Sequence, residues 1–161
     1  MRGLSYYSIS AAVFALDRIT KRIIEAHVSL FDTHTVIPGF FDIVHARNRG
    51  AAFSMFADST SPWRPFFLIG LSLAALILVA GILRKASTLD KPTAIGLSLI
   101  LGGALGNVFD RIVSGAVTDF LDFYVGNLHW PAFNVADSAI VIGSGLLLVS
   151  LLWPKQQPAG A

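Results

Sequence analysis

The 161 residues suffice for one domain, and 54% hydrophobic against 14% charged residues, with a mean hydropathy of +0.66, excludes an ordinary soluble protein. Twelve Lys and Arg against ten Asp and Glu give a net charge of +2 and a pI near 9.2, but the basic residues are scattered, so no nucleic-acid footprint is expected. Cysteine is absent, which rules out disulfides and thiolate metal sites.

In chain order, "GLSYYSISAAVFAL" (3–16) is apolar for 14 residues before "DRITKRII" introduces charge. Arg2 and a short apolar stretch fit the start of a secretory signal, yet no small-residue cleavage site follows. Ile19, Ile23 and Ile24 continue a helical spacing, and Asp17 precedes Lys21 by four residues on one face, the favourable order. A retained first span over 3 to about 24 is therefore expected, in which Lys21 and Arg22 snorkel to the interface while the shorter Asp17 requires a partner inside the bundle.

The segment 25–64 contains "TVIPGFFDIVHARNRGAAFSMF", rich in β-branched and aromatic residues and broken by Pro-Gly and Gly, which predicts short strands. "ADSTSPWRPFF" then reads as an interfacial turn or short amphipathic helix with Trp63 and Arg64 at headgroup depth. Residues 65–83 carry no charge over 19 positions, 92–109 none over 18, and 134–153 one aspartate near the start, so further spans are expected over 65–83, 92–112 and 134–153. The intervening "RKASTLDK" is three basic to one acidic, which places it and both termini in the cytoplasm and the loop 25–64 outside. No internal repeat is present.

On this topology Asp110 and Asp119, leaving the third span, meet Asp137, entering the fourth, at the external surface. Asn107, Asp110 and Arg111 project from one helical face; Asn134 and Asp137 do the same across from them. Gly102, Gly103 and Gly106 permit close helix approach just inside this polar cup.

Four classes fit such a cup. Two close carboxylates sharing a proton would make a hydrolase. A line of acids would make a transporter, though the acids cluster at one surface. "DRIVSGAVTDFLD" has a passing likeness to the aspartate-rich motif of metal-dependent phosphotransferases, without its DG start and with the last two acids three rather than four apart. The fourth class is a structural membrane protein whose acids form salt bridges with Arg111, Arg49 and Lys21.

The ordered strings "DRITK" (17–21), "NRGAAFSMF" (48–56), "GGALGNVFDR" (102–111), "VTDF" (117–120) and "FNVADSAIVIG" (133–143) decide among them. Together they resemble the lipoprotein, or type II, signal peptidases of bacteria over nearly the whole chain. The resemblance implies an all-α membrane protein of four transmembrane helices with a small extracytoplasmic β-cradle and a short interfacial helix, a single domain spanning 1–161. It implies an aspartic endopeptidase of the bacterial inner membrane, acting as a monomer among membrane lipids. Its substrates would be diacylglyceryl-modified prolipoproteins, cut just before the lipidated cysteine. Asp119 and Asp137 match the catalytic aspartates; Asn107, Asp110, Arg111 and Asn134 match the polar residues beside them. Asn48 and Gly50 match the N-x-G motif of the external loop, and Asp17 and Lys21 a structural pair.

Arg18 stands where the family often carries glutamine, and is expected to point to another face from Asp17 and Lys21. Arg111 and Asn48 are suited to hold backbone or carbonyl groups of the substrate, with neutralisation of Asp110 as the alternative for Arg111. Asp42 and Asp122 are expected to be solvated or interfacial acids, and Phe40, Phe41, Phe53 and Phe56 mainly membrane anchors. The histidines His27, His34, His45 and His129 lack ligand spacing, so neither metal nor cofactor is expected.

Overall fold

In the computed structural model, which describes residues 2–50 and 63–152, helices dominate and a small sheet sits at one end. The helices are α1 (Arg2–His27), α2 (Arg64–Leu83), α3 (Lys91–Ser114) and α4 (Val135–Leu152). The strands are β1 (Thr33–Ile37), β2 (Phe41–Asn48), β3 (Val117–Val125) and β4 (Leu128–His129). Among the described residues three helical stretches, Pro65–Leu83, Lys91–Ser114 and Val135–Leu152, are long and apolar enough to cross a membrane. Leu71, Ile77, Val141 and Leu151 leave apolar surface on the outside of α2 and α4, as helices facing lipid do.

Helix α3 is the central post. Ser10 of α1 donates to the Ser98 carbonyl at 2.8 Å, Lys21 reaches Asn107, and so α1 runs alongside α3 in the same direction. Helix α4 runs the opposite way, with Gly143 against Gly96 and Ser150 beside Thr93. Small residues make this closeness possible: a Cβ on Gly102 would lie 2.5 Å from the Ser10 carbonyl oxygen, and one on Gly96 2.7 Å from that of Gly143. Gly103 meets Ala136 and Gly106 meets the Asp17 carboxylate, so the glycine run expected to permit close approach does so toward α4 and α1.

The sheet is antiparallel in the order β1-β2-β3-β4. Its first hairpin is the one expected in the external loop; its second pair, β3 and β4, follows α3 directly. Gly115, in the left-handed conformation at φ 71°, ends α3 and turns the chain into β3. A register shift between Ile43 and Ala46 interrupts the β2–β3 ladder next to the pair Ala46 and Asp119, a position where bulges re-aim side chains.

Several expectations need correction. Phe41 stacks on Phe123, centroids 4.6 Å apart, and Phe123 on Phe133, so Phe41 packs within the protein. Asp42 is only 7% exposed and accepts a bond from the Tyr124 hydroxyl at 3.4 Å. Asp122 is half-buried and pairs with His129 at 2.9 Å. Solvation failed as a default because Asp42 and Asp122 face each other across the β2–β3 ladder, where neighbouring strands cover them. The sites of Phe53 and Phe56, and most of the expected interfacial helix, lie outside the described residues.

Candidate active site

Four elements bring polar side chains together at the sheet end. Asp17 and Lys21 come from α1, Asn107, Asp110 and Arg111 from the last turns of α3, Asp119 from β3, and Asn134 and Asp137 from the start of α4. These are the positions that the sequence singled out.

The fourth helix begins with a reciprocal cap. Asn134 Oδ1 accepts the Asp137 N–H at 2.9 Å, and Asp137 Oδ2 accepts the Asn134 N–H at 3.3 Å. This N-cap and N3 pairing, with Asn in place of Ser or Thr and Asp in place of Glu, satisfies two otherwise orphaned donors. A third, the Ala136 N–H, goes to Asp17 Oδ1 at 3.0 Å.

The side-chain amide of Asn134 extends the network. Its Nδ2 donates to Asp119 Oδ1 at 2.7 Å and to the Thr118 carbonyl at 3.3 Å. Asn107 Nδ2 donates to Asp137 Oδ1 at 2.7 Å, and Asn107 Oδ1 lies 3.4 Å from Asn134 Nδ2. Two asparagines thus link the carboxyl of Asp119 to that of Asp137. Asn48, at the end of β2, accepts the Gly50 N–H at 2.8 Å and also bonds to the Asp119 carboxyl, presenting its amide donor there.

Burial pushes the Asp119 carboxyl up to about 7, and the charge of Asp137 pushes the same way. Hydrogen bonds from Asn48 and Asn134 and the charge of Lys21 offset only part of this. Asp137 is half-buried, with each of its oxygens accepting an N–H donor.

Beneath the pair lies a buried charge cluster. Lys21 Nζ is 2.9 Å from Asp17, 2.7 Å from Asp110 and 3.1 Å from Asn107 Oδ1. Asp17 and Lys21 are both fully buried, so Asp17 has the bundle partner it required. Lys21, however, does not snorkel: two carboxylates and an amide oxygen hold its ammonium more strongly than a distant interface can. Arg22 does reach outward, its side chain 69% exposed beside Glu25.

Arg18 also departs from expectation, because it joins this cluster, pairing with Asp110 Oδ1 and lying over the Phe109 ring. Its long side chain bridges the angular offset from Asp17. Arg111 makes no ion pair with Asp110 among the described residues; it donates to the Gly50 carbonyl at 2.8 Å and to the Asn107 carbonyl at 3.4 Å. It thereby ties the turn after β2 to α3.

The phosphotransferase likeness loses its physical basis here. Residues three apart on a strand point to opposite faces, so Asp119 turns to Asn134 while Asp122 turns to His129. Asn134 links Asp119 instead to Asp137.

The arrangement defines a class: a membrane-integral enzyme with two carboxyl groups held on separate elements at one end of a helical bundle. Two solved bacterial membrane enzymes have the same architecture. One superposes with a TM-score of 0.84 at 30% identity, covering 97% of this chain and 94% of its own. The other gives 0.81 at 31% identity, with 94% of both chains covered.

The profile of the family described as Signal peptidase (SPase) II matches residues 9–153, and the chain belongs to that family of peptidases. Among relatives, the lipoprotein signal peptidase of Solibacter usitatus is 59% identical over 95% of this chain and 93% of its own length. That of Maridesulfovibrio salexigens is 44% identical over 88% of this chain and 91% of its own.

Proposed function

We propose that the chain is an intramembrane aspartic endopeptidase that removes signal peptides from diacylglyceryl-modified prolipoproteins, with Asp119 and Asp137 as its catalytic pair. The observation that carries this reading is the asparagine bridge between two carboxyls, one of them buried and pushed up to about 7.

In the reactive form the pair holds one proton, on the Asp119 carboxyl that burial pushes up. Asp137 takes a proton from a water molecule, whose oxygen attacks the scissile carbonyl, while Asp119 gives its proton to the carbonyl oxygen. In the collapse of the tetrahedral intermediate the proton on Asp137 passes to the departing amine, and Asp119 recovers the one it gave. The two acids titrate as a unit, so a bell-shaped pH profile follows. Asn107 and Asn134 orient the carboxyls, and Arg111, through the Gly50 carbonyl, holds the Asn48–Gly50 turn beside Asp119.

Helix α1 serves as a fourth span: at 26 residues it is about 39 Å long. Its charges Asp17 and Lys21 are turned into the bundle, while Leu16, Ile19 and Ile23 are exposed. The whole chain, 1–161, forms one inner-membrane domain, working as a monomer in contact with membrane lipids. Both termini and the basic turn "RKASTLDK" lie in the cytoplasm, with the sheet and the acid pair on the extracytoplasmic side. A signal peptide arriving as a helix must unwind to expose its bond, which membranes tolerate only under cover of protein. The sheet is suited to supply that cover.

The test is reconstitution in liposomes with a prolipoprotein offered with and without its diacylglyceryl group, reading the product by mass spectrometry. Cleavage before the modified cysteine, with the unmodified protein left intact, is expected; equal cleavage of both would remove the lipid requirement.

A further inference from the structure

The buried cluster holds two more charged groups than the pair Asp17 and Lys21, namely Asp110 and Arg18. Asp17 and Asp110 carry two negative charges; Lys21 supplies one positive charge and Arg18 the second, so that the cluster is neutral only with Arg18 present. Arg18 is mostly buried and its guanidinium lies 4.6 Å from the Phe109 ring centroid, while Phe109 is itself held edge-on by Phe14. This is a fixed site on the protein's own framework.

Its consequence runs through Lys21. Asp110 offers one oxygen to Arg18 and the other to Lys21. With Asp110 so shared, the Lys21 ammonium remains between three acceptors, the third being Asn107 Oδ1 at 3.1 Å. That contact fixes which way the Asn107 amide faces: with its oxygen on Lys21, its Nδ2 must point at Asp137. Without the guanidinium, two carboxylates compete for one ammonium and draw it from Asn107.

We infer that Arg18 is a positioning residue for the cleavage reaction, acting through Asp110, Lys21 and Asn107 to orient the carboxyl of Asp137. The inference rests on the reading of Asp119 and Asp137 as the catalytic pair. Removal of the Arg18 charge also leaves a net negative charge under the site. The groups around the acid pair are Asp17, Lys21 and Glu25 from α1, Asn48 from β2, Asn107, Asp110 and Arg111 from α3, and Asn134 from α4, with Asp17 bonded to the Ala136 N–H and Glu25 to Thr118. Lys21 and Arg111 are the cations among them, and neither replaces the lost one, so ionisation of the pair becomes harder and the activity profile moves to higher pH.

The experiment compares wild type, Arg18→Gln, Arg18→Lys and Asp110→Asn/Arg18→Gln in liposomes, with Asp110→Asn and Asp119→Asn prepared alongside. Glutamine keeps a neutral donor toward Asp110 and so favours folding; lysine keeps the charge. Arg18→Gln is expected to lower kcat about tenfold at unchanged KM and to move the profile to higher pH, while Arg18→Lys retains the wild-type profile. In the Asp110→Asn background the Arg18→Gln change should add little. An unchanged kcat and profile in Arg18→Gln would overturn the inference. So would equal losses in Gln and Lys variants, or a loss explained wholly by a smaller folded fraction. An inactive Asp119→Asn variant keeps the underlying site reading intact whatever Arg18 does; an active one would sink both.

Discussion

Asn134 and Asp137 cap one another at the first turn of α4, with the Asp137 N–H on Asn134 Oδ1 and the Asn134 N–H on Asp137 Oδ2. A helix cap and one member of the proposed acid pair are thus the same carboxyl. The Asn134 amide has a second task, donating to Asp119. Serine at 134 can keep the cap but cannot reach Asp119, whereas alanine loses both. Asn134→Ser and Asn134→Ala should both lose most activity, yet the alanine variant should be less stable by a further ~1 kcal/mol. Cleavage rates alongside unfolding in detergent separate the two effects.

Asp119 is held at a cost to stability. Its carboxyl is pushed up to about 7 in the fold from an ordinary value of 3.8. Between those values the unfolded chain has released the proton and the folded chain keeps it, so stability falls as pH rises from about 4 to about 7 and is flat above. Asparagine carries no such charge. Asp119→Asn should therefore be inactive but more stable than wild type, by a margin that grows from pH 4 to 7. Melting curves across that range check it; a margin that shrinks with pH contradicts the buried acid.

Lys21 has no exposure, whereas Arg22, its neighbour in sequence, is largely solvent-facing. Lys21→Met would leave Asp17 and Asp110 without their shared ammonium, at a cost of about 3–5 kcal/mol. Arg22→Met should change stability by no more than about 1 kcal/mol, because an exposed pair is worth little. Unfolding of the two variants in the same detergent makes the comparison.

Glycines in the bundle divide in the same way. A methyl at Gly102 would strike the Ser10 carbonyl of α1, while one at Gly145 meets nothing within 4 Å. Gly102→Ala should destabilise by forcing α1 from α3. Gly145→Ala should be neutral or stabilising by about 0.5–1 kcal/mol, since alanine is the better helix former. Thermal unfolding of both reads the sign directly.

The three apolar helices α2, α3 and α4 were legible because a bilayer leaves few alternatives for a charge-free run of 18 or more residues. The first helix was harder to read, since its charges are neutralised by residues some 90 positions away. That distance is also why Lys21 and Arg18 were misjudged: sequence spacing shows which face a side chain leaves from, not which partner it meets. Strand β3 went unread. Four consecutive residues from Val117 to Phe120 are buried, which hides the alternation that marks a half-buried strand. The signal was nonetheless present in the β-branched and aromatic run "VTDFLDFYV" followed by Gly126 and Asn127 before "LHW", the spacing of a two-residue hairpin. The acid pair was legible in part. Asp137 followed from its place at a helix start, while Asp119 stood out among nearby acids only through the family resemblance.

The central claim is that Asp119 and Asp137 together perform the cleavage, and replacing each singly by asparagine tests it most directly. With a diacylglyceryl-modified prolipoprotein as substrate, both folded variants should lose about a thousandfold or more in rate, in keeping with removal of a general acid or base. Near wild-type cleavage by either folded variant would contradict the account.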